Sequence, residues 1–230
     1  MYKAAEYNES LAIQYADCLI SINQRDAKET RDKYGRMPDG VINVTFKDQL
    51  KGNLRFDEEE NKEIADLLFI GSNFLPNAQG VRWFVENVMP NVPAKLTVVG
   101  KGMESLASEL KRDNVNVIGS VDDLTEYYER SDALVLPIFS GSGMKVKTAE
   151  AMMYGKIIFA TDEALEGYHT IDRKIMRCNN KDDFVTQICQ YVEKGVMKHS
   201  SEVRREYIAN FSNEKAEKLF QNMVLSCLKK

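Results

Sequence analysis

The sequence predicts an α/β protein with a parallel sheet that is covered by helices on both faces. Short apolar strand patterns alternate with helix patterns at least five times between residues 66 and 160, which is typical of strand–helix–strand units. Glycine turns follow several of these strands. Apolar runs without polar alternation indicate strands that are buried on both faces, as in parallel sheets. The chain of 230 residues, 43% of them hydrophobic, is long enough for one large core or two modest ones.

The first 45 residues predict too few elements for a core of their own. Helix patterns cover residues 2–16 and 24–34, and short strand patterns cover Cys18–Ile22 and Val41–Val44. Residues 46–63 are polar without a regular apolar period, so they are predicted to be a linker or exposed loop. Residues 1–45 therefore predict an incomplete attachment to the main domain.

The main domain is predicted over residues 64–199, with a Rossmann-like order of strands and helices, and residues 200–230 add two C-terminal helices. The predicted strands are Leu67–Ile70, Lys95–Val99, Val115–Ile118, Ala133–Pro137, Lys156–Ala160 and Ile175–Met176. The predicted helices are 78–88, 102–110, 123–129, 145–154, 181–194, 200–210 and 213–228. Ligands bind at the carboxyl ends of such strands, near a switch in strand order. The turns after the strands are therefore predicted to face one crevice.

Composition argues against several classes of protein. A net charge of −4 and a pI near 5.4 argue against a nucleic-acid surface. No apolar run approaches the length of a membrane span, and the first residues have no secretory pattern. With only two histidines, the chain has no Cys/His zinc pattern. The scattered cysteines predict buried thiols in a reducing cytoplasm; they are Cys18, Cys178, Cys189 and Cys227.

The segment Gly141–Gly155 carries the strongest functional signal. A glycine-rich turn opens into a helix, and backbone N–H groups at a helix start attract anions. Lys145 and Lys147 in the first turn are unfavourable for the helix dipole, which predicts an anion such as a diphosphate among them. Glu150, one turn further along, is placed to hold sugar hydroxyls. The alternative is a solvated basic helix start without a ligand.

Weaker signals follow the other strands. Gly71 and Ser72 end the first strand of the main domain and allow a ligand close to the backbone, although an ordinary turn has the same composition. Gly119 and Val121 follow the third strand and could contact a nucleobase. Gly100 and Gly102 are explained by turn chemistry. None of these turns has a dinucleotide fingerprint.

The stretch Glu163–His169 follows the fifth strand. Glu166 lies in a turn at the same predicted crevice, and His169 could contact a phosphate or act as an acid. An isolated histidine is equally compatible with a structural or exposed position.

Taken in order, these segments resemble the C-terminal, donor-binding domain of the GT-B glycosyltransferases of group 1, or family 4, over residues 64–225. Residues 1–45 are similar to the end of that family's N-terminal domain. The segments that carry the resemblance are Phe69–Ser72, Asn77–Phe84, Leu96–Gly100, Val117–Tyr127, Ser131–Pro137, Gly141–Lys147, Glu150–Gly155 and Glu166–Gly167.

The resemblance implies that a nucleotide-diphospho-sugar lies across the strand ends. Its base would contact the backbone near Gly119–Val121, and Glu150 would bind the ribose. Lys145 would act with Lys147 to stabilise the departing diphosphate, without a metal or a cofactor. The backbone of the turn would assist through Gly141, Ser142, Gly143, Met144 and Val146. Members of the family usually retain anomeric configuration and need no metal for chemistry.

The sequence departs from the family in three respects. Ser142 stands where many members have a glutamate, eight positions before Glu150. The loop Ser72–Asn77 lacks the basic residue that many members have there. Most of the N-terminal domain, which carries the acceptor site, has no counterpart in these 230 residues.

The resulting hypothesis is the donor-binding half of a glycosyltransferase that works in the cytoplasm and is expected to be inactive without a second half. Its partners would be a nucleotide-sugar and the missing N-terminal half or a second subunit, with peripheral membrane association through that half. The alternative is a non-catalytic nucleotide-sugar-binding or assembly subunit of a split glycosyltransferase. A third hypothesis, another GT-B enzyme such as a sugar-nucleotide epimerase, requires acidic and histidine residues of which the chain has few. Sugar, base and acceptor stay open.

Overall fold

The computed structural model describes residues 2–45, 47–50, 54–141 and 143–228. The chain divides into two compact units: unit 1 comprises residues 1–48 and 208–230, and unit 2 comprises residues 49–207. In the described part of the chain, no helix is both long and apolar enough to cross a membrane.

The regular elements follow the predicted order closely. The helices of the described residues are α1 Tyr2–Tyr15, α2 Gln24–Tyr34, α3 Leu75–Asn87, α4 Thr125–Arg130, α5 Val146–Met153, α6 Lys181–Glu193, α7 Ser201–Asn210 and α8 Asn213–Cys227. The strands are β1 Ile20–Ser21, β2 Gly40–Val41, β3 Glu59–Glu60, β4 Ala65–Ile70, β5 Ala94–Val99, β6 Val115–Ile118, β7 Ala133–Leu136, β8 Ile157–Ala160, β9 Ile175–Arg177 and β10 Val196–Met197.

Unit 1 contains a two-stranded parallel sheet, in which β1 pairs with β2. Helix α2 has a side-chain cap, because the Asn23 side chain accepts a hydrogen bond from the N–H of Asp26. It ends at Gly35, whose N–H donates to the carbonyl of Arg31. The side chain of Met223, on α8, lies against Gly40 at the start of β2. The first and last parts of the chain are therefore packed in one unit.

Unit 2 is built on a six-stranded parallel sheet with the order β6-β5-β4-β7-β8-β9. The chain runs outward from β4 through β5 to β6, and it then returns to the other side of β4 to form β7, β8 and β9. All residues of β7 and β8 are buried, as the unbroken apolar sequence predicts. The predicted parallel α/β architecture is confirmed. The switch in strand order lies between β4 and β7, so a ligand crevice is expected at their carboxyl ends.

The opposite ends of β4 and β7 are fixed by a buried carboxylate. Asp132, which is fully buried, accepts hydrogen bonds from Lys62 Nζ at 2.8 and 2.9 Å and from the N–H of Asp66 at 2.7 Å. A buried charge is tolerated when it is paired and hydrogen-bonded in this way. The arrangement ties the starts of the two central strands together.

Two segments differ from the sequence prediction. Residues 102–110 do not form an α-helix: Met103–Leu106 is a short 3₁₀ helix. Ser105 Oγ donates to the carbonyl of Gly102 at 2.7 Å, and such local bonding competes with regular helix. Residues 46–63 were predicted to be a linker or exposed loop, but β3 lies within them and pairs antiparallel with β10. The two strands are joined by backbone hydrogen bonds, and the sequence has no apolar pattern there that would predict a strand.

Candidate functional site

The candidate site lies at the carboxyl ends of β4 and β7, on either side of the switch in strand order. Gly71 follows β4 and is buried, and its N–H continues the sheet by donating to the carbonyl of Val99 at 3.0 Å. Ser72, the next residue, is exposed. Beyond β7, the chain enters the glycine-rich turn and then α5. The glycine-rich turn and the Gly71–Ser72 turn therefore follow neighbouring strands.

Lys145 organises the glycine-rich turn before α5. Its Nζ donates to the carbonyl of Gly143 at 2.8 Å and to Glu163 Oε1 at 2.7 Å. A side chain on Gly141 would contact the end of Lys145. The positive charge that the sequence assigned to an incoming anion is thus already paired with a carboxylate of the protein. An anion at Lys145 has to share it with Glu163.

The segment after β8 packs against the glycine-rich turn and the start of α5 and forms hydrogen bonds with them. Tyr168 Oη donates to the carbonyl of Lys145 at 2.9 Å, and Thr148 Oγ1 donates to the carbonyl of Ala164 at 2.9 Å. The buried side chain of Met144 lies against Gly167. These contacts fix the backbone where α5 begins. Val146 begins that helix and is 49% exposed.

Lys147 differs from Lys145 in having a neutral partner. Its Nζ donates to Asn77 Oδ1 at 2.7 Å and lies 5.3 Å from the centroid of the Phe69 ring. Among the described residues, no carboxylate forms an ion pair with it. Burial, together with the nearby charge of Lys145, lowers the pKa of Lys147 to about 8. The site therefore holds a half-buried ammonium group without an acidic partner.

Glu150 is half-buried and oriented by an aromatic pair. Tyr128 Oη donates to Glu150 Oε2 at 3.1 Å, and the Tyr128 ring stacks on that of Tyr154 with centroids 4.5 Å apart. Tyr154 Oη is 3.1 Å from Thr125 Oγ1, which fixes its position in turn. Burial raises the pKa of the Glu150 carboxyl, and the hydrogen bond from Tyr128 opposes that shift. The carboxylate is thus held in one orientation, through one of its two oxygens.

The remaining predicted residues lie around this centre. Gly119 and Val121 are half-buried and follow β6, the edge strand, and the carboxylate of Glu104 lies beside Gly119. Glu166 is half-buried after β8, and His169 is exposed. Ser142 lies outside the described residues.

Four residues at the site carried no assigned role in the sequence prediction: Asn77, Tyr128, Glu163 and Tyr168. Asn77 falls inside a segment that carries the family resemblance, and Tyr128 lies one position beyond such a segment. Glu163 and Tyr168 were noted only as part of the stretch Glu163–His169. Each acts on a residue that is distant in sequence, for example Asn77 on Lys147, 70 positions away. A local sequence pattern cannot predict a contact between residues so far apart in the chain.

Among the described residues outside this site, one group of side chains has the composition of a metal site. In unit 1, ligand atoms of Cys18, Asp39 and Cys227 lie within 4.8 Å of one another. The guanidinium of Arg36 is 3.4 Å from the Asp39 carboxylate, and its charge opposes a cation there. The prediction of four buried thiols is wrong for three of them, because only Cys178 is buried. Burial raises the pKa of the Cys178 thiol to about 12.

One cavity of unit 2 is separate from the predicted site. It has a volume of about 430 Å³ and is lined by residues of β9, α6 and β10, including Met176, Tyr191 and Met197. None of the predicted site residues lines it. The candidate site is therefore defined by hydrogen bonding and charge at the strand ends.

The fold matches that of GT-B glycosyltransferases of known structure. The chain resembles crystal structures of a glycosyltransferase from Rickettsia africae (TM-score 0.72, 14% identity, 98% of this chain and 67% of that one) and of Anabaena Alr3699/HepE in complex with UDP (0.73, 14%, 94% and 65%). It also resembles TarM, with a TM-score of 0.71 and 14% identity, over 96% of this chain and 46% of TarM. At this identity, the likeness shows the fold alone.

The family is shown by the sequence model for glycosyl transferases group 1, which matches residues 65–194. This chain belongs to that family. A 44.6 kDa uncharacterized protein in the cps region of Klebsiella pneumoniae is 30% identical over 121 residues, which cover 46% of this chain and 31% of that protein. The chain thus matches about a third of the length of its curated relative.

Proposed function

We propose that this chain is the donor-binding half of a glycosyltransferase, which binds a nucleotide-diphospho-sugar at the carboxyl ends of β4 and β7. The observation that carries the proposal is Lys147, a half-buried ammonium group without an acidic partner among the described residues, located at the switch in strand order. Family membership and structural neighbours solved with UDP support the same ligand. A diphosphate supplies the negative charge that this position lacks.

In the proposed reaction, the bond between the anomeric carbon and the diphosphate oxygen breaks, and its electron pair stays on the diphosphate. Lys147 and the backbone N–H groups at the start of α5 stabilise that charge. Lys145 contributes by moving from Glu163 toward the phosphate oxygens. The acceptor hydroxyl gives its proton to the departing diphosphate oxygen, and its oxygen forms the new bond to the anomeric carbon. We propose that the anomeric configuration is retained and that no metal takes part.

Glu150 is proposed to hold the ribose. Its carboxylate accepts a hydrogen bond from Tyr128 through Oε2 and is half-buried beside the stacked tyrosines. A carboxylate accepts hydrogen bonds from vicinal hydroxyls well. The Tyr128 hydrogen bond then sets the direction in which the donor is bound.

The acceptor side is proposed to come from a second half of the fold. The chain covers 65% of HepE and 46% of TarM, so these proteins contain a large part without a counterpart here. GT-B enzymes work by closing two domains on their substrates. We therefore propose that the acceptor is bound only when the second half is present.

Calorimetric titration of the chain with UDP-, GDP- and ADP-sugars tests donor binding. We expect one of the three to bind, and Lys147→Met to weaken that binding by roughly 10-fold through loss of a charge-assisted hydrogen bond. The matched control is Lys95→Met, which removes an exposed lysine at the start of β5, away from the carboxyl ends of the strands. Absence of binding to all three at millimolar concentration, with a folded protein, would refute the proposal.

A further inference from the structure

Asn77 links three elements at the candidate site. It lies in the first turn of α3, its Nδ2 donates to the carbonyl of Ser72 at 3.0 Å, and its Oδ1 accepts from Lys147 Nζ at 2.7 Å. The two bonds fix the orientation of the amide, because the reverse orientation would place an N–H group against an ammonium group. The loop after β4 and the first turn of α5 are thereby joined through one side chain.

Within the part of the chain that the structure describes, no carboxylate forms an ion pair with Lys147. Neutral groups face it from β4 (the Phe69 ring) and from α3 (the Asn77 amide), and the charged neighbour on its own segment is Lys145, also a cation. A Cβ on Gly71 would lie 3.0 Å from Nζ of Lys147, so the absence of a side chain there leaves room for the ammonium group. By contrast, the Nζ of Lys145 forms an ion pair with Glu163 Oε1 at 2.7 Å.

We propose that Asn77 is a positioning residue for the donor's diphosphate: it holds Lys147 at the strand ends through a neutral hydrogen bond and keeps the ammonium charge available to an anion. The inference rests on the proposed function, since it assigns a role in binding the same ligand. An aspartate has nearly the same shape as asparagine. An aspartate at residue 77 would form an ion pair with the ammonium group of Lys147 and neutralise its charge.

A first experiment measures Lys147 without any ligand. The rate of its acetylation by acetic anhydride is followed from pH 6 to pH 11 by peptide mass spectrometry, and the midpoint reports the pKa of its ammonium group. We expect the midpoint of the wild type near the pKa of about 8 that its burial produces. Asn77→Asp should raise it by about one pH unit or more, because an adjacent carboxylate favours the charged form. Asn77→Ala should lower it.

A second experiment measures UDP and uridine binding at pH 7 by calorimetry. We expect Asn77→Asp to weaken UDP binding by about 5- to 10-fold and to leave uridine binding unchanged, because uridine has no phosphate. In a Lys147→Met background, the same substitution should have a smaller effect on UDP. The matched control is Gln79→Glu, which adds one negative charge at an exposed position of α3 without contact to Lys147.

The outcomes separate this inference from the proposed function. If Asn77 only ties the Ser72 loop to α3, both substitutions will weaken UDP and uridine equally and leave the acetylation midpoint of Lys147 unchanged; that result would overturn the inference. If the wild type binds no nucleotide, the proposed function fails, whereas the acetylation midpoints still report whether Asn77 governs the charge of Lys147. Asn77→Ala is measured by the same acetylation and calorimetry experiments, and it removes the amide without adding a charge.

Discussion

Lys145 and Lys147 lie two positions apart, and their surroundings differ completely. Lys145 is paired with Glu163 and with the carbonyl of Gly143, whereas Lys147 is bound by the Asn77 amide. The sequence identified both lysines from their place at a helix start. Their partners, Glu163 and Asn77, lie in the segment after β8 and on α3, which are distant in the sequence. The pattern of residues thus located the site, while the contacts distinguish the roles of its two cations.

At the same scale, we predict that Tyr128→Phe weakens donor binding at mildly acidic pH. Without the phenolic hydroxyl, the Glu150 carboxylate loses a hydrogen bond that stabilises its charged form, so its pKa rises further. UDP affinity measured by calorimetry from pH 7 to pH 5 should decline at a higher pH in the variant than in the wild type. Tyr127→Phe, at the neighbouring position on α4, is the control. Identical pH profiles for Tyr128→Phe and the wild type would contradict the role assigned to this hydrogen bond.

At the scale of elements, the packing of α3 against the end of β7 depends on one close approach. A Cβ on Gly80 would lie 2.0 Å from the carbonyl oxygen of Pro137. No side chain fits that distance, so the helix lies directly on the chain that leaves β7 for the glycine-rich turn. The sequence shows Gly80 near the start of the predicted helix 78–88, within a segment that carries the family resemblance. Its reason is visible only in the packing.

We predict that Gly80→Ala destabilises the protein by about 2–3 kcal/mol, although glycine-to-alanine changes inside helices usually stabilise by up to about 1 kcal/mol. The overlap with Pro137 forces α3 away from the sheet. The free energy of unfolding from urea titration measures the effect. Gln79→Ala, at an exposed position of the same helix, should change it by less than about 0.5 kcal/mol. A Gly80→Ala variant as stable as the wild type would show that α3 can move without cost.

At the scale of the whole molecule, buried basic groups couple stability to pH. His199 is 5% exposed, its Nδ1 lies 2.8 Å from the carbonyl of Tyr154, and its ring is edge-on to Phe56. Burial and the charge of Lys156 lower the pKa of His199 to about 4. Lys156 is itself fully buried, and burial lowers its pKa to about 7. Folding therefore favours the neutral histidine.

We predict that acid destabilises the protein partly through His199. Between pH 6.5 and about 4, the unfolded chain binds a proton on this histidine that the folded chain does not, so stability is retained above that window and lost as pH falls through it. The loss attributable to His199 should be about 2–3 kcal/mol. His199→Asn keeps a donor near Tyr154 and cannot titrate. Its unfolding free energy should fall less between pH 7 and pH 4.5; an equal fall would exclude His199 as the cause.

We also predict that the purified chain binds its donor without transferring the sugar. The proposed reaction needs an acceptor site on a second half, and the chain covers only part of the related structures. Incubation with the nucleotide-sugar that binds, and with glycan and lipid acceptors, should release no nucleoside diphosphate above the protein-free rate. Robust transfer by the chain alone would contradict this. Binding that never supports transfer, even in a complete assembly, would favour a non-catalytic subunit.

The sequence by itself determined the parallel α/β architecture, the order of nearly all elements and the family. Unbroken apolar runs such as those of β7 and β8 indicate strands buried on both faces, and a glycine turn with two lysines before a helix indicates an anion site. These signals are local, so they can be read along the chain. The 3₁₀ turn after β5 was missed because its competing hydrogen bonds involve single side chains.

Only the tertiary structure decided which cation is neutralised, which carboxylate is oriented and where backbones touch. Glu163 meets Lys145, Asn77 meets Lys147 and Tyr128 meets Glu150 across 18, 70 and 22 positions of sequence. Such pairs form because the crossovers of a parallel sheet bring the carboxyl ends of separate strands to one edge. Hydrogen bonds and charges act over a few ångströms in space, whatever the separation along the chain.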